Sequence, residues 1–274
     1  MKPVRIKDFL VSEEFFNLKY DARMGAWQTT PELTTEALQK YYPKEEYLSH
    51  VDKANSLKAQ IYLWVKKKNI QTKLNWISKT NKPGKLLDYG AGNGTFAQAA
   101  IAKGWDVFAV EYSEAAKKVL ARKGIRQMDN TLPKQRFDAI TLWHVFEHLP
   151  NPRQQIKRFY EALAPGGILV LAIPNHNSWD AKHYSSYWAA YDVPRHLWHY
   201  NSTSITRLAH EAGFHVLKTH NMFWDAFYVA LLSEQYRKAS FAWPKAFFKG
   251  LYSNFVGWRK NNTSSLAFIL QKRK

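Results

Sequence analysis

The middle of the chain alternates short apolar runs with segments in which apolar residues recur at helical spacing. The apolar runs predict strands near residues 85–90, 106–111, 125–128, 137–143 and 167–173. The periodic segments between them predict helices near residues 95–103, 113–123 and 152–163. A regular alternation of strands and helices is typical of an α/β domain built on a parallel sheet.

The sequence before this region shows two other patterns. Residues 53–79 place apolar residues near helical spacing with lysines between them, so we expect one long helix there. Residues 1–50 scatter aromatic residues among prolines and threonine-rich turns, so we expect an irregular segment. Two placements stay open for that segment, which either folds over the ligand site or packs on the edge of the sheet.

After the alternating region the pattern changes again. Residues 174–203 lack a clear period and predict a long loop, which in a compact domain is usually functional. A helix near 203–212 and a strand near 214–221 follow. Residues 222–260 then predict two helices rich in aromatic and basic residues, and the apolar run 264–270 predicts the last strand.

These patterns divide the chain into parts. With 274 residues, the chain is long enough for one large α/β domain with additions. We expect residues 1–80 to form an N-terminal cap segment that contains the long helix. We expect residues 81–274 to form the main domain, in which residues 222–260 are a helical insert before the last strand.

Composition narrows the class of protein. Hydrophobic residues make up 46% of the chain, which is enough to bury a sizeable core. The absence of cysteine excludes disulfides and thiolate metal sites, and it fits a reducing compartment. The first residues lack the apolar core of a signal peptide, and no apolar run approaches the length of a membrane span. We therefore expect a cytoplasmic protein.

The charge is strongly unbalanced. The formal net charge is +18 and the pI is about 9.8, which indicates either an anionic partner or a solvated basic surface. Every charged residue after Glu234 is basic, and large aromatic residues accompany these bases. That combination predicts a peripheral contact with an anionic membrane, a roof over a hydrophobic acceptor, or a helical pair packed on the sheet.

Candidate chemistry concentrates where the first strand of the alternating region ends. Residues 86–96 are Leu-Leu-Asp-Tyr-Gly-Ala-Gly-Asn-Gly-Thr-Phe, which predicts a buried strand, a glycine-rich turn and a helix start. Glycine lets a ligand lie directly on the backbone, and the helix N-terminus offers free N–H groups. The dinucleotide fingerprint requires glycine where Thr95 stands. The Asp88 carboxylate would repel a pyrophosphate but not a cationic ligand.

A second acidic position follows at the end of the next strand. Glu111 lies nineteen residues after Gly92, where a carboxylate can accept hydrogen bonds from both hydroxyls of a ribose. Tyr112, the next residue, can pack on the face of an adenine. These two residues therefore predict that the ligand of the turn contains a nucleoside.

With these features the chain resembles the class I S-adenosylmethionine-dependent methyltransferases. The resemblance rests on the glycine-rich turn, on Val-Glu-Tyr-Ser at 110–113, on residues 137–149 and on Leu-Ala-Pro-Gly-Gly-Ile-Leu-Val at 163–170. It implies a Rossmann-like class I methyltransferase fold, with a mostly parallel seven-stranded sheet flanked by helices, an N-terminal cap and a C-terminal helical insert. It also implies that S-adenosyl-L-methionine is the cofactor and is held by Asp88, Gly90, Ala91, Gly92, Gly94, Glu111, Tyr112, Asp129 and Trp143.

Three histidines are candidate catalytic residues. Methyl transfer from a sulfonium needs alignment and, for an oxygen or nitrogen acceptor, removal of a proton. His144 and His148 follow the strand predicted at 137–143, and His196 lies in the long loop. A purely structural role stays open for each. Ubiquinone-pathway O-methyltransferases look similar at 144–148, usually with an acid where His144 stands, and can hold a divalent metal there. We assign no metal ligand in this chain.

The function that these features predict is methyl transfer to a small-molecule, lipid-like or glycan acceptor, most readily at oxygen. The charge prompts RNA methylation as an alternative. However, no Asn-Pro-Pro-Tyr-like tetrapeptide follows the strand at 137–143, and no RNA-binding module is recognisable, so we do not expect a nucleic-acid partner. A non-catalytic regulator that binds S-adenosylmethionine is the second alternative.

Overall fold

The computed structural model describes residues 4–42 and 57–273. Its strands, in chain order, are β1 (Val4–Lys7), β2 (Phe15–Asp21), β3 (Ala26–Thr30), β4 (Lys85–Tyr89), β5 (Asp106–Val110), β6 (Arg126–Gln127), β7 (Phe137–Trp143), β8 (Leu163–Pro174), β9 (Trp198–His199), β10 (Phe214–Met222) and β11 (Ser265–Lys272). Its α-helices are α1 (Thr35–Gln39), α2 (Leu57–Ser78), α3 (Thr95–Ile101), α4 (Glu114–Arg122), α5 (Pro152–Ala162), α6 (Trp179–Tyr184), α7 (Ser202–Glu211), α8 (Asp225–Tyr236) and α9 (Ala242–Lys260).

Seven of these strands form the central sheet, in the order β6-β5-β4-β7-β8-β11-β10. Neighbouring strands from β6 to β8 are parallel, whereas β11 is antiparallel to both β8 and β10. This topology confirms the predicted Rossmann-like fold. The chain leaves β4 towards β5 on one side and later returns to β7 on the other side. The carboxyl ends of β4, β5 and β7 therefore border the switch point at which open α/β sheets bind ligands.

Apolar residues cover both faces of the central sheet. Leu87 packs on one face in a cluster with Phe159 of α5, and Leu86 packs on the other face in a cluster with Ile77 of α2. Consecutive residues of β4 are therefore both buried, as is typical of a parallel strand covered on both sides. The long helix predicted at 53–79 corresponds to α2, and residues 53–56 of that prediction lie outside the described residues.

The prediction of an irregular N-terminal segment is wrong for residues 4–30. Strands β1, β2 and β3 form an antiparallel sheet that β9 completes. In β2 the side chains of Phe16 and Leu18 are buried, while their neighbours in sequence are exposed. This alternation is the period of a strand with one covered face. Only two buried positions carry it, so the surrounding prolines and turns obscured it.

The prediction of one long loop at 174–203 is also too simple. The segment contains α6, two short 3-10 helices at Ser185–Tyr187 and Ala189–Tyr191, and β9. Arg195 fixes it to the N-terminal sheet, because its guanidinium donates to the carboxylates of Asp8 and Asp192 at 2.9 and 2.7 Å and to the carbonyl of Tyr41 at 2.6 Å. Contacts between segments far apart in sequence thus order this region.

Helices α8 and α9 connect β10 to β11 along the chain, and these are the two antiparallel strands at one end of the central sheet. The polar side chains of the two helices tie them to the body of the protein. The Ser233 hydroxyl of α8 accepts from the N–H of Ala189 at 2.9 Å, and the Ser253 hydroxyl of α9 donates to Asp180 of α6 at 2.8 Å. None of the helices in the described part of the chain combines the length and the apolar character that crossing a bilayer requires.

Candidate active site

The glycine-rich turn joins β4 to α3 at the switch point of the sheet. Gly90, Gly92 and Gly94 all have positive φ values, of 76°, 55° and 73°, which other residues adopt at a cost. A Cβ on Gly92 would meet nothing within 4 Å, so a ligand can approach the backbone there. A Cβ on Gly90 would collide with Val145, and one on Gly94 would lie 2.5 Å from Ile125. Packing against protein side chains therefore explains the first and third of these glycines, Gly90 and Gly94.

Glu111 binds the same turn. One of its carboxylate oxygens accepts from the N–H of Gly92 at 2.6 Å, and the other accepts from the N–H groups of Tyr112 and Ser113 at 2.7 and 3.0 Å. The structure therefore brings together the carboxylate and the glycine that the sequence analysis placed in one site. The oxygen that accepts from Gly92 keeps a further lone pair that can accept a hydrogen bond from a ligand hydroxyl.

Asp88 lies buried at the end of β4. Its carboxylate accepts from the hydroxyl of Thr141 at 2.9 Å. Burial raises the pKa of Asp88 to about 7, although the Thr141 hydrogen bond and the charge of Lys73 act in the opposite direction. A further cation beside Asp88 would stabilise its ionised form. This position therefore suits the binding of a positively charged group.

Lys73 is a site residue that the sequence analysis missed. Its ammonium group lies 4.3 Å from the centre of the Trp143 ring, in a cation–π contact. Burial lowers the pKa of Lys73, while Asp225 and Asp88 raise it. Because α2 carries several lysines in succession, nothing in the sequence distinguishes the one that reaches the ends of the strands.

The remaining predicted cofactor residues surround the turn in different ways. Trp143 packs edge-on against Phe96 of α3 with ring centres 5.1 Å apart, and its indole N–H is buried without a partner among the described residues. Ala91 is half-buried in the turn, where its N–H donates to Val110 at 3.2 Å. Asp129 is exposed, and its carboxylate accepts from the N–H of Thr131 at 3.0 Å.

Tyr112 is more than half exposed, and its phenol joins a short hydrogen-bond chain. The hydroxyl of Tyr89 donates to the side-chain carbonyl of Asn130 at 2.7 Å. The Tyr112 hydroxyl lies 2.6 Å from that of Tyr89, so Tyr112 is the donor in this second bond. Asn130 therefore fixes the aromatic pair, whereas the sequence analysis had selected the neighbouring Asp129.

His144 lies at the end of β7 in an unusual backbone conformation, with φ of 56°. Its Nε2 is 2.9 Å from Asp225 Oδ2, and its Nδ1 is 3.6 Å from Glu147 Oε1. Burial would lower the pKa of His144, but these two carboxylates raise it to about 9. The ring is thus an imidazolium at neutral pH. It has no lone pair that can accept a proton, so the structure does not suit His144 to the predicted role of base.

His148 and His196 share one tautomer. Nδ1 of His148 lies 2.9 Å from the carbonyl oxygen of Arg195, and Nδ1 of His196 lies 2.9 Å from that of Ala190. Because a carbonyl only accepts, each Nδ1 carries a hydrogen, so the neutral form of either ring has its lone pair on Nε2. Burial is the main cause that lowers the pKa of His148 to about 4. His148 is therefore neutral at physiological pH.

Glu147 lies between these rings and His144. The side chain is fully buried, and neither carboxylate oxygen has a hydrogen-bond partner in the described part of the chain. Burial raises its pKa, but neighbouring His144 and His196 more than compensate and hold it below the usual value. Ligand atoms of Glu147, His148 and His196 all lie within 4.8 Å of one another. Two imidazoles and one carboxylate are a donor set that divalent transition metals accept.

Asp225 is the second residue that sequence analysis missed. It opens α8, so the helical insert supplies the carboxylate that charges His144. The two residues are 81 positions apart in sequence. No local motif marks Asp225, because its role depends only on where α8 packs.

Comparison with known families gives one family model, described as a methyltransferase domain, which matches residues 64–219. Among curated proteins, the chain is similar to the ubiquinone biosynthesis O-methyltransferase of Idiomarina loihiensis. The two are 34% identical over 109 residues, which cover 35% of this chain and 45% of that protein. The enzyme of the same name from Psychrobacter arcticus is 27% identical over 136 residues, covering 38% of this chain and 53% of its own. The chain spans about half the length of the curated relatives it matches.

Solved structures show the same fold at lower identity. Phosphoethanolamine N-methyltransferase 2 of Haemonchus contortus, in complex with S-adenosyl-L-methionine, aligns with a TM-score of 0.54 and 17% identity. That alignment covers 97% of this chain and 72% of the other. A SAM-dependent methyltransferase from Archaeoglobus fulgidus aligns with a TM-score of 0.52 and 16% identity, covering 75% of this chain and 94% of the other.

Proposed function

Because the chain belongs to the methyltransferase domain family, we propose that it transfers a methyl group from S-adenosyl-L-methionine to a hydroxyl oxygen of a small-molecule, lipid-like or glycan acceptor. The names of the curated relatives support an oxygen acceptor of small-molecule type. The cysteine-free composition supports a reducing, cytoplasmic setting for the reaction.

The cofactor site lies at the ends of β4, β5 and β7. Glu111 accepts hydrogen bonds from the ribose hydroxyls, and the open backbone at Gly92 takes the methionine part. Asp88 faces the cationic sulfur, directly or through water. The other contacts come from residues around the turn and beside the adenine, namely Gly90, Ala91, Gly94, Tyr112, Asp129 and Trp143. When bound, S-adenosyl-L-methionine supplies a methyl group on a sulfonium, which leaves without the help of an acid.

The observation that carries an acceptor with a proton to remove is the neutral His148, whose Nδ1–H is held by the Arg195 carbonyl, while the names of the relatives favour oxygen. Its Nε2 lone pair is therefore available to take a proton from an acceptor hydroxyl. His196 has the same tautomer and is the second candidate base. His144, as an imidazolium held by Asp225, orients the cluster and its insert rather than removing a proton.

The Glu147 carboxylate accepts no hydrogen bond from the described residues, which supports a second interpretation of the same cluster. Glu147, His148 and His196 would hold a divalent cation, with one oxygen and two Nε2 atoms as ligands. A bound cation would lower the pKa of an acceptor hydroxyl and so replace the histidine base.

In this proposal the N-terminal segment, the main domain and the helical insert have different roles. Residues 1–80 act as a cap segment, and residues 81–274 act as the methyltransferase domain. The insert at 222–260 borders the acceptor side, because Asp225 reaches His144.

The direct test is a screen with isotopically labelled S-adenosyl-L-methionine and a panel of phenols, quinols, glycans, amines and RNA, analysed by mass spectrometry. The expected result is a methyl ether on a hydroxylated small molecule. Fragmentation then assigns the methyl group to oxygen, nitrogen or carbon. Methylation of RNA alone, or of amines alone, would contradict the proposed acceptor. Repeating the screen after treatment with a chelator, and then with Mg²⁺, Mn²⁺ or Zn²⁺ restored, distinguishes the two readings of the cluster.

A further inference from the structure

Helix α9 has its large side chains on the outside. Its buried positions follow helical spacing and carry only small or polar residues, namely Ala246, Gly250, Ser253, Asn254 and Gly257. Its exposed positions carry most of the bulk, namely Trp243, Phe247, Phe248, Leu251, Tyr252, Phe255 and Trp258, each more than half exposed. A surface helix normally shows the opposite arrangement, with its apolar face towards the core.

The inner face of α9 makes the close contacts that hold the helix. Two outward rings add to them, because Phe247 packs on Phe227 of α8 with ring centres 5.8 Å apart and Tyr252 packs on Trp179 of α6 at 4.7 Å. A Cβ on Gly250 would lie 2.8 Å from the Phe227 ring, and one on Gly257 would lie 2.7 Å from Thr263, so the backbone of α9 packs closely against its neighbours. Ser253 donates to Asp180 at 2.8 Å, and Asn254 donates to the carbonyl of Phe223 at 2.7 Å. Most of the outward side chains therefore add little to the attachment of the helix. They form a contiguous stretch of exposed large apolar side chains on one helix, a feature that marks interaction sites.

The exposed aromatic residues also line a groove of about 700 Å³ between α9 and α6. Its walls are Trp179, Phe248, Leu251, Tyr252 and Phe255, and Lys249 closes one side. The Lys249 ammonium lies 2.7 Å from His183 Nε2, so this lysine is partly engaged within the protein. A groove with apolar walls and a cation at its rim suits a chain that is apolar along its length and anionic at its end.

The basic residues on and around α9 indicate which partner binds this surface. Nine basic residues and no acidic residue follow Glu234, and Lys245, Arg259 and Lys260 are exposed on α9 itself. A second copy docked face to face would bring these like charges together with no acid on either helix. An anionic phospholipid surface complements them, because each base near such a surface adds attraction and aromatic side chains settle at the headgroup level.

We propose that the outer face of α9 docks this protein on the surface of an anionic phospholipid bilayer. The helix lies parallel to the bilayer plane, its aromatic residues enter the headgroup region, and its terminal bases contact lipid phosphates. This docking does not depend on which acceptor is methylated, so it can fail or hold separately from the proposed reaction.

Vesicle sedimentation of the full chain is the first test. We expect the protein to sediment with phosphatidylcholine vesicles that contain phosphatidylglycerol at low salt, to bind vesicles of phosphatidylcholine alone far more weakly, and to be released by high salt. Each base near the surface contributes about fivefold to partitioning. The Lys245→Glu/Arg259→Glu/Lys260→Glu variant should therefore lose binding by at least about a hundredfold.

Matched control variants test whether vesicle binding depends on the outer face of α9 or on exposed bases and apolar side chains anywhere on the protein. Lys103→Glu/Lys118→Glu/Arg122→Glu makes the same charge change at exposed bases around α3 and α4 and should bind nearly as wild type. Phe248→Ser/Phe255→Ser should lose binding, whereas Phe15→Ser/Ile101→Ser, at exposed apolar residues elsewhere, should keep it. Equal loss in a variant and its control would contradict the assignment to α9.

A second measurement does not rely on loss of binding. Because the chain has no cysteine, single Phe255→Cys and Ile101→Cys variants can each carry one environment-sensitive fluorophore. Anionic vesicles should shift the emission of the label at 255 to shorter wavelength and leave that at 101 unchanged. A wild-type protein that stays in the supernatant at low salt would overturn the proposal. So would a dimer that Phe248→Ser/Phe255→Ser dissociates, or binding to a single-stranded oligonucleotide in place of vesicles.

Discussion

The proposed cofactor side and the proposed acceptor side of this site adjoin each other at the ends of the same strands but are assembled differently. On the cofactor side, Gly92 and Glu111 are nineteen residues apart and are joined by a 2.6 Å hydrogen bond in which the backbone is the donor. On the proposed acceptor side, His144, His196 and Asp225 come from three separate segments. Asp225 raises the pKa of His144, and His144 and His196 lower the pKa of Glu147. The first side depends on backbone shape, whereas the second depends on which segments meet.

The difference predicts that turnover and cofactor affinity respond to different substitutions. Replacing His148 by Ala should lower turnover by about 10²–10⁴-fold if this residue is the base, because the acceptor hydroxyl then has no proton acceptor. Cofactor affinity should stay unchanged, since His148 lies outside the glycine-rich turn. Steady-state kinetics and calorimetry on the same preparation measure both quantities. If His148→Ala and His196→Ala both keep normal turnover, neither ring is the base.

On the cofactor side, Gly92→Ala should weaken S-adenosyl-L-methionine binding by about 1–3 kcal/mol, because the new methyl group would occupy the open space above the turn. The chain offers a matched control in Gly124→Ala. Gly124 has a φ of 65° and open space around its missing Cβ, but it follows α4 and is not part of the glycine-rich turn. Both variants carry the same backbone strain, so only a loss specific to Gly92 reports on the ligand. Equal affinities in the two would contradict the assigned pocket.

The electrostatic coupling on the acceptor side should appear in the pH dependence of stability. The folded-state pKa of His144 is about 9, above its ordinary 6.5, so the stabilisation from its contact with Asp225 is complete below pH 6.5 and is lost as the pH rises through 9. After allowance for the partial exposure of the ring, the contact is worth about 1–2 kcal/mol.

Urea unfolding at pH 6 and at pH 10 tests this coupling. Wild type should be more stable than Asp225→Asn at pH 6, and the difference should shrink at pH 10. Glu211→Gln, which removes an exposed carboxylate paired with Arg153, is the control and should show no such change. A difference between wild type and Asp225→Asn that is independent of pH would mean that His144 is not charged in the folded protein.

The smallest expected effect concerns the adenine side of the cofactor site. Tyr112→Ala should weaken S-adenosyl-L-methionine binding by about 0.5–1.5 kcal/mol through loss of an aromatic face. Tyr112→Phe keeps the ring and should differ little from wild type, because its hydroxyl bonds only within the chain of Tyr89 and Asn130. Equal losses in both variants would mean that the phenol, and not the ring, contacts the ligand.

The same contrast explains how much of the fold and of the candidate site could be predicted from the sequence. Most strands of the central sheet and the closeness of Gly92 to Glu111 were predictable, because strand periods and the βα turn are local properties. The assembly of seven strands into one sheet was predicted from the family resemblance. The N-terminal sheet was not, since its strand β2 buries only Phe16 and Leu18 on one face. The charge of His144 was not predictable either, because Asp225 reaches it from a helix 81 residues away. A residue whose role depends on contacts with a distant segment belongs to no motif or characteristic spacing that would reveal it in the sequence.

The outward face of α9 illustrates the same limit in another way. The sequence shows that residues 222–260 are aromatic and basic, which fits a buried helical pair as well as an interface. The structure separates these readings, because small residues such as Gly250 and Gly257 take the inner positions and leave the rings outside.

One measurement tests the central claim most directly, namely that cofactor binding and proton removal belong to separate sides of one site. S-adenosyl-L-methionine is titrated by calorimetry into wild type, Glu111→Ala and His148→Ala. The account predicts binding to wild type, equal binding to His148→Ala, and a loss of about 1–3 kcal/mol in Glu111→Ala. Unchanged affinity in Glu111→Ala, or no binding to wild type, would contradict it.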